Sequence, residues 1–126
     1  MVSLGPGFPE YIIPQARAAV EQAQVVVGYR TYIDLLAPLL RGQEVVVSGM
    51  KTEVKRCQDA VDLALAGRRV ALVSSGDAGI YGMAGLALEV CRARALRVGP
   101  PETPQAVDLY LEVSPGVPAL AAGAAL

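Results

Sequence analysis

The chain contains no histidine and no asparagine, and it has only two cysteines. Without histidine it lacks the commonest metal ligand, the commonest general base near neutral pH and every histidine-dependent catalytic triad. Cys57 and Cys91 lie far apart and match no zinc or thiol-redox spacing, so they read as small buried hydrophobes in a reducing, cytoplasmic compartment. No apolar run reaches the roughly 18 residues that a membrane span requires. Charge of one sign is also lacking. Eleven basic residues face twelve acidic ones, scattered without a basic stripe, which argues against nucleic acid or an anionic membrane as partner.

What is present is apolar and periodic. Hydrophobic residues make up 53% of 126, enough for one compact domain with a sizeable core. Short apolar runs at 2–4, 25–27, 45–47, 70–73 and 109–113 predict five strands. The second, third and fourth are valine-rich and nearly continuous, as in strands covered on both faces. Between the runs, residues 14–22, 31–40, 53–66 and 80–95 carry helical periodicity. Pro14 suits a first turn. Thr52 is placed to cap the third helix, Glu53 complements its dipole, Val54, Cys57, Val61 and Leu65 share one face, and Gly67 ends it. The β-α-β-α rhythm predicts an α/β fold with a mostly parallel five-stranded sheet flanked by helices. Ligands in such sheets bind beyond the carboxyl ends of the strands, so the loops there carry the interest.

Three of those loops are unusual. The first strand runs into Leu4-Gly5-Pro6-Gly7-Phe8-Pro9, a tight loop whose composition fits either a plain turn or a close approach to a ligand. Its prolines remove amide donors, which argues against a phosphate cradle. The fourth strand runs into Ser74-Ser75-Gly76-Asp77-Ala78-Gly79-Ile80-Tyr81-Gly82-Met83-Ala84-Gly85. So many glycines weaken a helix start and make sense where a flat ligand or another backbone passes close. Asp77 reads as an N-cap or as a polar anchor in a cleft; Tyr81 and Met83 read as core or as cleft lining. The fifth strand runs into Ser114-Pro115-Gly116-Val117-Pro118-Ala119. Converging at one end of the sheet, the three loops would form a binding cleft.

These loops resemble the signature regions of the tetrapyrrole methylase superfamily. Leu4-Gly5-Pro6-Gly7 is similar to its first motif, Ser75-Gly76-Asp77 to its cofactor loop, and Pro115-Gly116-Val117-Pro118-Ala119 to its Pro-Gly turn. Val27-Gly28-Tyr29-Arg30-Thr31-Tyr32, Ser48-Gly49-Met50-Lys51-Thr52-Glu53-Val54 and the run 74–85 resemble the branch that methylates precorrin-3B at C17. The resemblance covers essentially the whole chain. It implies the N-terminal half of a two-domain fold, with S-adenosylmethionine as methyl donor in the cleft between the domains. It implies cofactor contacts at Pro6, Ser75, Gly76, Asp77, Ile80, Pro118 and Ala119, many of them through backbone. It implies that Gly5 and Gly7 lie near a tetrapyrrole substrate, with Tyr29, Tyr32, Met50 and Lys51 as further substrate-side candidates. The implied reaction is C17 methylation with ring contraction of precorrin-3B or cobalt-factor III in cobalamin biosynthesis. A homodimer is implied too, while no metal site and no proton-transfer residue is assigned.

The chain departs from the family pattern at several points. Phe8 stands where the first motif usually carries aspartate, and Pro118 where serine or threonine is common, which removes a hydroxyl contact. Residues 97–108 make a longer connection than expected and read as a surface loop. The chain stops at Leu126, where the family would enter its second domain, so residues 1–126 are expected to form a single α/β domain with the C-terminal domain absent. Lys51, Lys55 and Arg56 read as a solvated helix start, and the alanines of 119–125 as a packed helix. Three function classes follow: the C17 enzyme; a related methylase acting on another tetrapyrrole, ribosomal RNA or diphthine; and a truncated, dimerising module without activity.

Overall fold

A computed structural model describes residues 1–7, 9–76, 83–100, 102 and 106–116. Four parallel strands form its sheet: β1 (Val2–Ser3), β2 (Val25–Tyr29), β3 (Glu44–Ser48) and β4 (Val70–Ser74), in the order β1-β4-β2-β3. Helices α1 (Pro14–Gln22), α2 (Arg30–Leu36), α3 (Glu53–Leu65) and α4 (Ala84–Ala93) connect or follow them. Period-two alternation decides which helices go where. Val26, Ala71 and Val73 point to one face, where Ala16, Val20, Ile33 and Leu36 of α1 and α2 cover them. Val25, Val27 and Leu72 point to the other, against Cys57, Ala60, Val61, Ala87, Val90 and Cys91 of α3 and α4. The result is the three-layer α/β fold expected from the alternating pattern. No helix among the described residues is long and apolar enough to cross a membrane.

The fifth strand is the main difference. Residues 109–113 do not add a full strand to the sheet. Instead β5 (Val98–Gly99) and β6 (Leu109–Tyr110) form a separate two-stranded parallel ribbon. The chain then returns to the sheet edge beside β1 through a single parallel bridge, Val2 to Ser114. Two further bonds fasten it: the Met1 amino group donates to the Glu112 carbonyl at 2.9 Å, and the Ser114 amide to the Met1 carbonyl at 2.9 Å. β1 is two residues long, so it offers little ladder to a neighbour. The valine-rich β3 is the opposite edge, with Glu44 and Val47 exposed, rather than a strand covered on both faces.

The helices also differ from expectation in detail. The second ends at Leu36, and Ala37–Leu39 tightens into a 3-10 turn, because Pro38 cannot continue the ladder. Thr52 stands at the N-cap of α3, but its hydroxyl turns back to donate to the Gly49 carbonyl at 2.7 Å and caps no amide. The inward stripe of α3 is Arg56, Cys57, Ala60 and Val61, whereas Val54 and Leu65 are exposed. Gly67 does end the helix: its amide bonds the Ala64 carbonyl and that of Arg68 the Leu63 carbonyl, a Schellman arrangement. Two expectations, the Asp77 cap and the helix of 119–125, fall on residues outside those described.

α4 closes in the same way, but with the wrong residue for it. Ala95 takes φ +54° while its amide bonds the Arg92 carbonyl and that of Leu96 the Cys91 carbonyl. A Cβ in the left-handed region costs about 1 kcal/mol or more. At the helix start the situation is reversed, because a Cβ on Gly85 would touch nothing within 4 Å. Ala95→Gly and Gly85→Ala are each expected to stabilise the chain by about 0.5–1 kcal/mol, from relieved strain and from helix propensity respectively. Urea midpoints would check both, and a fall in either midpoint would contradict the assignment.

Candidate functional site

The carboxyl ends of β1 and β4 meet in a junction made almost entirely of backbone. Ser3 pairs with Ser74, and the Leu4 amide bonds the Ser74 carbonyl at 2.9 Å. Gly5 and Gly76 then exchange hydrogen bonds, N to O at 3.1 Å one way and 2.6 Å the other, as an antiparallel bridge. Gly5 can do this because it holds φ +75°, and a Cβ there would lie 3.0 Å from both the Cβ and the carbonyl oxygen of Tyr11. The third loop arrives through Gly116. A Cβ on Gly116 would stand 2.3 Å from the Gly76 oxygen and 2.6 Å from Ser3 Cβ, so only glycine fits. Ser3 seals the junction by donating its hydroxyl to the Ser114 carbonyl.

Two polar atoms in this junction are orphaned. The hydroxyls of Ser74 and Ser114 are buried and have no hydrogen-bond partner among the described residues. A buried hydroxyl left unpaired costs on the order of 1–3 kcal/mol. Ser74 ends β4, at the carboxyl edge where α/β sheets receive polar ligand groups, whereas Ser114 lies on the far side of β1, bridged to Val2.

A second wall is aromatic and cationic. Tyr29, the last residue of β2, and Tyr32, in the first turn of α2, pack edge to face with ring centroids 5.5 Å apart. The Tyr32 hydroxyl bonds Ser75 Oγ at 3.1 Å, which ties this wall to the loop after β4. The Arg56 guanidinium lies 5.8 Å from the Tyr29 ring centroid, a cation–π distance. Arg56 is only 3% exposed, so the reading of a solvated helix start fails for it. Its signal was present in the spacing: Arg56 and Ala60, like Cys57 and Val61, are four apart on the inward side of α3.

Behind this wall sits Cys57, fully buried and free. Burial pushes its thiol up to about 11, and the neighbouring Arg56 charge offsets this only in part. Since the folded value exceeds the ordinary 9.0, the unfolded chain loses the proton first as pH rises. The contribution is intact below about pH 9 and is lost as pH climbs toward about 11, by at most roughly 2–3 kcal/mol. Native protein at pH 8 is expected to leave Cys57 unalkylated by iodoacetamide, whereas urea-unfolded protein is modified at both cysteines. Rapid labelling of Cys57 in the native chain would show that the burial is wrong.

A cavity of about 660 Å³ opens elsewhere, among α1, α3, α4 and residues 108–114. Its lining includes Met1, Gln22, Gly67, Arg69 and Val70 toward the amino ends of β1 and β4, and it reaches the glycine junction only through Ser114. Volume alone does not locate a site, because ligands of such sheets bind beyond the carboxyl ends of the strands.

The family model for tetrapyrrole (corrin/porphyrin) methylases matches residues 1–126. The chain belongs to the tetrapyrrole methylase family. Its methylase relatives include the cobalt-factor III methyltransferase of Priestia megaterium, 40% identical over 126 residues, or 100% of this chain and 22% of that protein. The probable cobalt-factor III C(17)-methyltransferase of Salmonella typhimurium is likewise 40% identical, over 100% of this chain and 48% of its own length. The crystal structure of the methyltransferase CobJ superposes with a TM-score of 0.77 at 32% identity, covering 98% of this chain and 48% of that one. The chain thus spans half or less of the length of these methylases.

Within this methylase frame the expected site residues fall into groups. Gly5, Pro6 and Gly76 are at the glycine junction, with Gly7 exposed beside them at φ +117°. The Gly76 amide is spent on the Gly5 carbonyl, and its own carbonyl already accepts one bond from the Gly5 amide. Tyr29, Tyr32 and Ser75 form the second wall. Met50, 74% exposed, and Lys51 stand on the loop between β3 and α3, reached from the Tyr29 wall through Arg56. Asp77, Ile80, Pro118 and Ala119 lie outside the described residues. Sequence reasoning missed Arg56 and the two orphaned serine hydroxyls; no composition signal distinguishes a serine that pairs from one that does not.

Proposed function

We propose that this chain forms one side of the site of an S-adenosylmethionine-dependent tetrapyrrole C-methyltransferase of cobalamin biosynthesis. The substrate is precorrin-3B or its cobalt-containing counterpart, cobalt-factor III, methylated at C17 with ring contraction. The observation that carries this reading is the glycine junction at the carboxyl ends of β1 and β4, in a chain whose whole length matches the methylase family.

The residues fit the methyl donor. The three loops pack backbone against backbone at Gly5, Gly76 and Gly116, which in this reading fixes the floor of a cradle for the donor, and the buried Ser74 hydroxyl beside it has no partner among the described residues. The bound sulfonium supplies an already activated methyl group, so the protein's task is alignment rather than acid–base work. The absence of histidine is consistent with that division. In this reading Pro6, Ser75, Gly76, Asp77, Ile80, Pro118 and Ala119 contact the donor. Gly5, Gly7, Tyr29, Tyr32, Met50 and Lys51 face the tetrapyrrole, where tyrosine rings suit its flat face and lysine its carboxylates. The working protein is a cytoplasmic homodimer.

The test is methyl transfer by the full gene product, with the 126-residue chain in parallel, read by mass spectrometry. S-adenosylmethionine would be offered with precorrin-3B and, separately, with cobalt-factor III. One methyl added at C17 supports the reading and selects the substrate. No transfer to either by a folded protein rejects the C17 assignment.

A further inference from the structure

We propose that Arg56 is a positioning residue that holds the loop between β3 and α3 in its substrate-facing shape; the proposal rests on the functional reading above. Its Nε donates to Ser48 Oγ, the last residue of β3, and Nη2 donates to the Gly49 carbonyl at 3.1 Å. Nη1 lies 3.6 Å from the sulfur of Met83, immediately before α4. The face of the guanidinium rests near Tyr29 at the end of β2. One side chain therefore ties together the ends of β2 and β3, the loop after β3 and the start of α4.

The loop needs such a tie. Lys51 holds φ +61°, a left-handed conformation that costs a non-glycine residue of order 1–3 kcal/mol and persists only when its surroundings over-determine it. Two bonds converge on the Gly49 carbonyl, from Arg56 and from the Thr52 hydroxyl, and both restrain the segment that carries Met50 and Lys51 outward. None of the ion pairs among the described residues includes Arg56. A buried guanidinium with no carboxylate partner among the described residues is costly, and that cost is offset by the bonds its fork of donors makes to Ser48 and Gly49. Met50 on the loop is 74% exposed and Val54 in the first turn of α3 is 51% exposed, so together they present an apolar surface with Lys51 beside it, complementary to a flat macrocycle bearing carboxylates.

Arg56→Lys tests this. Lysine keeps the charge and the burial but cannot reach Ser48, Gly49 and Met83 at once. In the full gene product, the KM for the tetrapyrrole is expected to rise about tenfold, while kcat and the KM for S-adenosylmethionine change by less than about threefold. Thr52→Val, which removes only the second bond to Gly49, is expected to show the same split at smaller size, and it serves if Arg56→Lys does not fold. Independently of activity, amide hydrogen exchange at residues 50–52 should accelerate at least tenfold in Arg56→Lys while α3 stays protected. Unchanged exchange there overturns the proposal, even if the protein proves to methylate nothing. So does a loss of activity spread equally over both substrates, which a merely structural role would give.

Discussion

Gly116→Ala is expected to destabilise the protein by more than about 2 kcal/mol and to abolish binding of S-adenosylhomocysteine, the product left when the donor gives up its methyl group. The reason is what the new methyl group meets. Its Cβ would lie 2.3 Å from the Gly76 oxygen, 2.6 Å from Ser3 Cβ and 3.3 Å from the Gly5 amide nitrogen. Two of these are backbone atoms of the other two loops, fixed by their mutual hydrogen bonds, and the third belongs to a fully buried serine. None is the free end of a flexible side chain that could swing aside. Overpacking of this kind costs typically 1–3 kcal/mol even where side chains can adjust. Relief requires the Gly5–Gly76 bridge to open or the Ser114 segment to leave β1, and either movement reshapes the cradle. Urea unfolding measures the first effect and isothermal titration with S-adenosylhomocysteine the second. Wild-type affinity in a Gly116→Ala protein would mean that the donor does not depend on this junction.

The position of Gly116 also shows where sequence reasoning reached and where it stopped. The alternation of valine runs and helical segments was enough to place α1 to its residue limits and to predict the layering, because burial on both faces leaves a continuous apolar run at β2 and β4. The same signal misled at β3, an edge strand whose valines look central. Composition cannot tell which strand is last in the sheet, because order is decided by non-local pairing. Residues 109–113 failed as a fifth strand for a related reason: their alternation fits a strand, but the partner they take at first is Val98–Gly99 and not β1. At the site, glycine and proline punctuation pointed to the three loops. It did not reveal that Gly5 and Gly76 exchange hydrogen bonds, which depends on geometry between segments distant in sequence. Arg56 was obscured by its neighbours. Next to Lys51 and Lys55 a basic residue looks solvated, and only the helical phase shared with Ala60 marks it as buried.

The largest loss of stability without a corresponding loss of chemistry is expected from Leu36→Ala. Leu36 closes α2, is fully buried, and packs in the cluster with Val20, Val26, Ile33 and Val73. Removing a buried leucine to alanine costs 2–5 kcal/mol, the transfer energy of the lost carbons plus a term for the cavity left behind. The upper half of that range applies here, because the sheet on one side and the 3-10 turn of Ala37–Leu39 on the other restrict collapse. Against a total stability of roughly 5–15 kcal/mol, such a loss lowers the urea midpoint by a large fraction. Leu36 has no polar group to bond the glycine junction or the Tyr29–Arg56 wall, and it meets them only through the core cluster against which Tyr32 packs. The molecules that remain folded should therefore bind S-adenosylhomocysteine within about threefold of the wild-type affinity when titrated well below the midpoint. The two substitutions thus separate support from site: Gly116→Ala removes stability and affinity together, Leu36→Ala stability alone. A Leu36→Ala protein that is folded but has lost affinity tenfold or more would show that the α1–α2 face of the core transmits its packing to the junction, and that the cradle is held from below as well as by its own backbone.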